Sequence, residues 1–426
     1  MKNILRKIQP LVSVYHFLFA FVGALIYGFP SRKIKVFAVT GTNGKTTTVS
    51  IINEVFKGMG YKVAAFSSEK FEINGKEEPN LYKMTMPGKA VLQRLLGKAV
   101  KEKCDIAVME VTSEGIKQYR HYFFNFDTVC ITNLTPEHIE SHGGFENYRK
   151  AKGKLFKACK KTHIINTDDD NADYFLQFKS KQKIGYGIKK DTENKENIDF
   201  FLKPEKIISD SNGIKFIVDK EELFLPLLGK FNVYNALLAL ALLKKEKGSI
   251  SGVKEVLKNI KGVPGRMDEV YLTPPPLFRV IVDYAVTPNA LEELYKELKN
   301  NFNPQRIIAV FGACGGGRDR WKRPVLGDIA EKYCDKIILT NEDPYDEDEK
   351  EIVNQIMEGV KSKAKAEIII DRRSAINKAL RIAEKEDIVI VTGKGSEPWM
   401  CLKNNKKIPW SEKNIIKEEY NNIISI

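Results

Sequence analysis

At 426 residues, with 43% hydrophobic and 29% charged side chains, the chain is long enough for two or three domains and has the balance of a water-soluble globular protein. Its net charge of +14 comes from 69 Lys and Arg against 55 Asp and Glu. The cations are spread over many helix faces without an aromatic-basic module, which argues against a nucleic-acid partner. Six scattered cysteines with no C-x-x-C pair fit a reducing cytosol and exclude a disulfide framework or a thiolate zinc site.

In chain order, residues 8–30 come first. They contain no Asp, Glu, Lys or Arg and include Phe17, Leu18, Phe19, Phe21 and Val22; Lys2, Arg6 and Lys7 flank one side, Arg32, Lys33 and Lys35 the other. The length approaches that of a membrane-spanning helix. Yet Pro10 and His16 lie inside, and cations on both flanks give no orientation. Three readings stay open: a helix packed on the next domain, an interfacial helix at a membrane surface, and a span. No small-x-small cleavage pattern marks a secretory leader.

Residues 34–39 read as a strand feeding Thr40-Gly41-Thr42-Asn43-Gly44-Lys45-Thr46-Thr47-Thr48, which opens a helix. Such a turn points backbone N–H groups, and the positive end of a helix, into a concavity that holds a polyphosphate. Lys45 is placed to reach the β- and γ-phosphates of ATP, and Thr46 to ligate Mg²⁺. The spacing is two residues shorter between the glycines than in the common P-loop. This form resembles the ATP-binding loop of the Mur ligases, which join amino acids to a peptidoglycan precursor. The related folylpolyglutamate synthetases usually carry Gly-Ser after the Lys, where this chain has Thr46-Thr47.

Further strands are predicted at 106–111, 128–132, 164–166, 280–283, 307–311, 336–340, 367–371 and 387–392. Their continuous apolar runs, alternating with helical stretches, predict an α/β fold with mostly parallel sheets. The polar, locally alternating stretch 189–222 predicts antiparallel strands. A boundary falls near Gly262-Val263-Pro264-Gly265. The expected organisation is an apolar N-terminal segment (1–33), a central P-loop ATPase domain (34–262) and a C-terminal Rossmann-like amino-acid-binding domain (263–426).

Glu110 ends the second of these strands, where a parallel sheet binds ligands, and is a candidate Mg²⁺ ligand; a helix-capping role is the alternative. Thr112 and Arg120 follow, and the segment resembles the Met-Glu-Val-Ser-Ser of Mur ligases that add the third stem-peptide residue, with its Arg ten residues after the Glu. Glu114-Gly115 replaces the family's His-Ala. The segment Asn133-Leu134-Thr135-Pro136-Glu137-His138, followed by His142-Gly143, resembles the family's T-N-L-x-x-D-H-L-D-x-H-G. There the first His binds a second metal ion, a role that maps to His138. From its helix alone Lys152 reads as a solvated lysine. The resemblance instead places it at the position of a carbamylated Lys, whose carbamate supplies oxygen to Mg²⁺.

Further matches assign roles by resemblance only. Asn235 lies near the adenine, Arg266 contacts ATP at the domain junction, and Asp283 approaches the ribose in Val-Asp-Tyr-Ala-Val286-Thr-Pro, where the family has His for Val286. Arg318, in the glycine-rich run before Lys322-Arg323-Pro324, holds the carboxylate of the incoming amino acid. Gly393 and Glu397 contact its side chain, with Ser396 in place of a family His. Thr85, in Thr85-Met86-Pro87, matches the Thr-Thr-Pro near the sugar-peptide substrate. Glu342-Asp343-Pro344-Tyr345 stands where diaminopimelate-adding enzymes carry Asp-Asn-Pro-Arg. Without that Arg the loop disfavours diaminopimelate and permits a cationic side chain; acidic residues favouring the next helix N-terminus are the alternative account.

The resemblance spans roughly residues 34–412. It implies ATP-dependent amide ligation through an acyl phosphate, with Lys45, His138 and Lys152 catalytic and two Mg²⁺ held through Thr46, Glu110, His138 and Lys152. The loop residues Gly41 to Thr47 bind ATP. Standard tripeptide synthetases have an N-terminal domain of on the order of a hundred residues for the uridine nucleotide, so a differently presented acceptor is expected here. A ligase for another carboxylate, such as a polyglutamate or lipid-linked precursor, and a nucleotide-binding scaffold are the alternatives. A cytoplasmic monomer, contacting a membrane surface if residues 8–30 are interfacial, completes the expectation.

Overall fold

A computed structural model describes residues 2–82, 84–88, 90–189 and 197–425, with side chains from residue 14 onward. The first sheet is built from β1 (Lys35–Thr40), β2 (Val63–Phe66), β3 (Lys70–Ile73), β4 (Lys76–Pro79), β5 (Ile106–Glu110), β6 (Thr128–Ile131), β7 (Thr162–Asn166), β8 (Gln182–Tyr186) and β9 (Phe200–Leu202). Their spatial order is β4-β3-β2-β5-β1-β6-β7-β8-β9, with only the β2-β3-β4 edge antiparallel. Alternation along β1 explains why both faces are covered: Phe37 and Val39 enter one core, Val36 and Ala38 the other.

The sheet order reverses at β1, whose neighbours β5 and β6 come from later in the chain. Val39 pairs with Glu110 and Thr40 with Ile131. The turn after β1 is therefore flanked by the carboxyl ends of both neighbours, the crevice where open α/β sheets bind ligands.

Next come β10 (Lys206–Asp210), β11 (Gly213–Val218) and β12 (Glu221–Leu225), a separate antiparallel sheet as predicted for the alternating stretch. The second large sheet contains β13 (Asp268–Glu269), β14 (Arg279–Asp283), β15 (Ile307–Phe311), β16 (Lys336–Leu339), β17 (Ala366–Ile368) and β18 (Ile388–Thr392), in the order β13-β14-β18-β15-β16-β17. From β14 to β17 every pairing is parallel, with β18, the last of these strands in the chain, inserted between β14 and β15. Ile281 and Val282 point into different cores on its two faces.

The N-terminal segment is a helix, Lys2–Ile26. Phe17 packs edge-on against Tyr119, Tyr122 and Phe123, and Phe21 lies tilted against Phe123. Ala24 is fully buried, whereas Leu18, Phe19, Val22, Leu25 and Ile26 remain exposed. Among the described residues no helix is long and apolar enough to cross a membrane.

Candidate functional site

The turn after β1 is held open by its neighbours. Gly41 has φ 151° and a Cβ there would lie 1.8 Å from Thr132 Oγ1; at Gly44, φ 83°, it would lie 2.6 Å from Asn235 Oδ1. Both positions therefore require glycine. The amides of Thr42 and Asn43 donate to Asn133 O and Oδ1, each at 2.9 Å, and Thr132 Oγ1 donates to Asn43 O at 2.6 Å. Lys45 opens the helix Lys45–Gly58, and its ammonium donates to Gly41 O at 3.0 Å and Thr42 O at 2.8 Å. Burial lowers its pKa, opposed by the Glu110 charge. Thr46 Oγ1 lies 2.9 Å from Ser68 Oγ, and Glu110 Oε1 accepts from Ser68 N at 2.8 Å. Ser68 thus ties Thr46 to Glu110, a link no sequence motif signalled.

Beneath the turn lies Lys152, on the helix Phe145–Ala158. Its residue-level reading as a solvated lysine is overturned: the side chain is 1% exposed. Its Nζ donates to Gly41 O at 2.8 Å and Thr40 Oγ1 at 3.2 Å, and sits 5.0 Å from the Tyr148 ring centre. Burial, and secondarily the Lys45 charge, holds its pKa well below the usual lysine range. His138 follows β6 with φ 56°. Burial first, then the charges of Arg318, Lys152, Lys322 and Lys45, push its imidazole down to about 2, so it is neutral.

The donor set suits Mg²⁺ in part. A hard divalent ion keeps several waters and takes one or two carboxylates with phosphate oxygens, and the joined Thr46 and Glu110 meet that need. An unmodified Lys152 offers His138 no anionic oxygen. Among the described residues no group of three His, Cys, Asp or Glu could hold a metal, so the second half of the set fits only with a carbamate on Lys152.

A cleft of ≈ 1320 Å³ runs from this turn to the carboxyl ends of β14, β15 and β18. It is lined by every predicted site residue except Gly41 and Lys152, which lie under the turn. Asn235 is pinned there, accepting from Thr48 Oγ1 at 3.0 Å and donating to Asn232 Oδ1 at 2.8 Å. Arg266 stacks 4.2 Å from the Tyr284 ring centre. Asp283 accepts from Met267 N at 2.6 Å, and burial raises its pKa against the pull of Arg266. Thr85, Thr112 and Arg120 also line the cleft. The Thr112 hydroxyl caps the helix Ser113–Lys117 through Gly115 N at 3.1 Å, while Arg120 donates to Met86 O and Gln118 Oε1.

At the far end, Lys394 Nζ pairs with Asp343 at 2.9 Å and Glu397 at 2.6 Å. Asp343 Oδ1 also accepts from Cys401 N at 2.6 Å, and Tyr284 OH donates to Glu397 at 3.1 Å. Glu342 differs: it is 5% exposed, lines the cleft and has no hydrogen-bond or ion-pair partner among the described residues. Burial raises its carboxyl to about 7, against the attraction of Arg372 and Lys394. Gly393 lets it approach, since a Cβ there would lie 2.0 Å from Glu342 Oε2. The Arg318 guanidinium also reaches the cleft and makes no side-chain bond among the described residues.

Comparison with known proteins agrees with this geometry. The Mur ligase middle domain profile matches residues 39–243, and that of the Mur ligase glutamate ligase domain matches residues 265–395. The chain is 37% identical over 403 residues to UDP-N-acetylmuramoyl-L-alanyl-D-glutamate–2,6-diaminopimelate ligase 1 of Clostridium acetobutylicum, covering 94% of this chain and 80% of that protein. A solved structure of a UDP-N-acetylmuramoyl-L-alanyl-D-glutamate–2,6-diaminopimelate ligase superposes with TM-score 0.59 at 28% identity, over 92% of this chain and 79% of that one. Mycobacterium tuberculosis folylpolyglutamate synthase shares the fold, with TM-score 0.70 at 16% identity over 88% and 92% of the two chains.

Proposed function

The chain belongs to the Mur ligase family of ATP-dependent ligases, and from that premise we propose that it adds an amino acid to a muropeptide precursor of peptidoglycan. The observation that carries this reading is the single cleft joining the phosphate-binding turn to Arg318 and Glu342. In the reaction, an acceptor carboxylate oxygen attacks the γ-phosphorus of ATP and displaces ADP, leaving an acyl phosphate. The amine of the incoming amino acid then attacks the acyl carbon, expels inorganic phosphate and loses a proton.

Loop N–H groups and Lys45 receive the polyphosphate and offset its charge. Lys45 now rests on two loop carbonyls, so it is free to exchange them for phosphate oxygens. Asn235, Arg266 and Asp283 hold the nucleoside; Thr85, Thr112 and Arg120 hold the muropeptide. Burial holds the Lys152 amine well below the usual lysine range, which favours the uncharged form that adds carbon dioxide to become a carbamate. Thr46 and Glu110 would hold one Mg²⁺, and His138 with the carbamate a second; when bound, the ions neutralise charge on the phosphates. In this reading residues 34–262 supply the phosphate-binding turn and the metal ligands, and residues 263–426 supply the amino-acid wall together with Arg266 and Asp283 at the nucleoside.

Charge balance narrows the amino acid. Lys394 is committed to Asp343 and Glu397, Arg372 to Glu412, and Lys322 to Glu137. That leaves Arg318 for one carboxylate and Glu342 for one cation, the pattern of a monocarboxylate with a basic side chain. Diaminopimelate would bring a second carboxylate with no cation to meet it. The exposed apolar side chains Val14, Leu18, Phe19, Val22, Leu25 and Ile26, in a segment flanked in sequence by Lys2, Arg6 and Lys7 and by Arg32, Lys33 and Lys35, support contact with a membrane surface. A phosphate-release screen tests the whole reading: release must require ATP, an amino acid and a uridine-linked or lipid-linked muropeptide. ATP turnover indifferent to both co-substrates would refute it.

A further inference from the structure

One turn of the C-terminal half reaches across the cleft to the segment that carries His138. The helix Ile139–His142 begins with His138 at its N-cap position, and His138 makes no side-chain cap bond. Helix-initial N–H groups need acceptors. They are supplied by Asp319, 180 residues away: its Oδ2 accepts from Ile139 N and its Oδ1 from Glu140 N, each at 3.0 Å. The contact is reciprocal, because Glu140 Oε1 accepts from Arg320 N at 2.7 Å. On the other side of His138, Glu137 pairs with Lys322 at 3.0 Å, with both side chains almost fully buried at 8% and 5% exposure. Asp319 itself is 3% exposed. Thus residues 137 and 139–140 are gripped by residues 319–322, and His138 lies between the two grips. From its own half, the segment is held by the His138 ring tilted 6.3 Å from that of Tyr148 and, further along, by His142 to Ser113 at 3.1 Å, Ser141 Oγ to Glu114 at 2.9 Å and Lys117 to Ser141 O at 2.8 Å.

We propose that Asp319 and Lys322 form an interdomain latch that fixes His138 in place only when the two halves are closed. Arg318 precedes Asp319 directly and faces the cleft. Occupation of Arg318 by the amino acid and ordering of His138 are therefore events on one rigid turn. Asp319 and Lys322 are positioning residues: they act through residues 137–140 and hold the closed state by bonds that exist in no open arrangement. The inference rests on the ligase reading of His138, and its test separates the two.

The test compares full-length protein with Asp319→Asn, which keeps the volume but leaves one acceptor oxygen instead of two. Small-angle scattering reads closure on adding Mg²⁺ and a non-hydrolysable ATP analogue; titration reads analogue affinity; phosphate release reads turnover. The latch predicts analogue affinity within twofold of the parent, loss of the decrease in radius of gyration, and kcat lower by at least tenfold. Closure equal to that of the parent overturns it, whether or not kcat falls. If Asp319→Asn does not fold, Lys322→Met is read by the same measurements, and the exchange Glu137→Lys with Lys322→Glu should recover closure. A parent enzyme that closes but releases no phosphate refutes the ligase reading, while the scattering still decides the latch.

Discussion

Replacing Glu342 with Gln should make the protein more stable and less active at once. Burial holds the carboxyl at about 7 instead of its ordinary 4.5. A raised carboxyl pKa means that the folded state disfavours the ionised form. Its contribution is fully present below the unfolded value and is lost as pH rises through about 7. The displacement corresponds to an upper bound of roughly 3 kcal/mol at pH 8, which Gln releases. The melting temperature of Glu342→Gln should therefore exceed the parent's by several degrees at pH 8 and converge with it toward pH 5. Activity should move the other way. A hydrogen bond between a carboxylate and a substrate ammonium contributes about 1.5–3 kcal/mol, so kcat/KM for a basic amino acid should fall roughly ten- to a hundredfold. In the parent, kcat/KM should climb with pH through about 7 as Glu342 ionises; the variant should lose that limb. Thermal melts and amino-acid-dependent phosphate release between pH 5 and 8 measure both effects. A variant less stable than the parent at pH 8, or diaminopimelate giving the highest kcat/KM of all amino acids, refutes the reasoning.

Lys45→Ala should abolish turnover in a folded protein by removing the cation at the β- and γ-phosphates; an unchanged ligation rate would sink the loop assignment. Lys152→Ala should be inactive and regain part of its activity with added formate or acetate, while the fold holds because Gly41 O keeps the Lys45 ammonium as a donor; full activity without additive would refute the carbamate role. Deleting residues 1–29 should release the protein from anionic liposomes and leave ATP binding intact. Unfolding of the truncated chain, or full-length protein that never sediments with the liposomes, would show that Phe17 and Phe21 serve only to pack on Tyr119, Tyr122 and Phe123.

Most central strands were legible because each is a continuous apolar run, although the short interior strands β2 and β8 were missed; the phosphate-binding turn was legible because its glycines and Lys45 stand in a fixed spacing between strand and helix. The edge strands β3 and β4 were not, since Glu72, Lys76, Glu77 and Glu78 give them no hydrophobic signature. Lys152 was misjudged from its own helix because Lys150 and Lys154 surround it with charge; only tertiary packing shows that this one lysine turns inward under Gly41. The side chains around the loop Glu342-Asp343 were visible as an acidic cluster, yet sequence offered no means of knowing that Lys394 neutralises Asp343 and leaves Glu342 alone. Asp319 directly follows Arg318 in the glycine-rich run, but its bond to a helix 180 residues earlier is a property of the tertiary arrangement and of no local pattern.

The carboxyl ends of the two parallel sheets meet across the same cleft, and this bears on how a short-lived mixed anhydride survives in water. In the proposed reaction, an acyl phosphate formed on the wall of β1, β5 and β6 faces the wall of β14, β15 and β18, where Arg318 and Glu342 would hold the amine-bearing amino acid. Its fate is a race between that amine and a water molecule. With the two walls apposed, the nucleophile waits at high effective concentration, whereas water must enter a space the substrates already fill. The fold thereby limits the nucleotide lost to hydrolysis per amide bond made, a coupling ratio set by the architecture of two facing sheets more than by any one side chain.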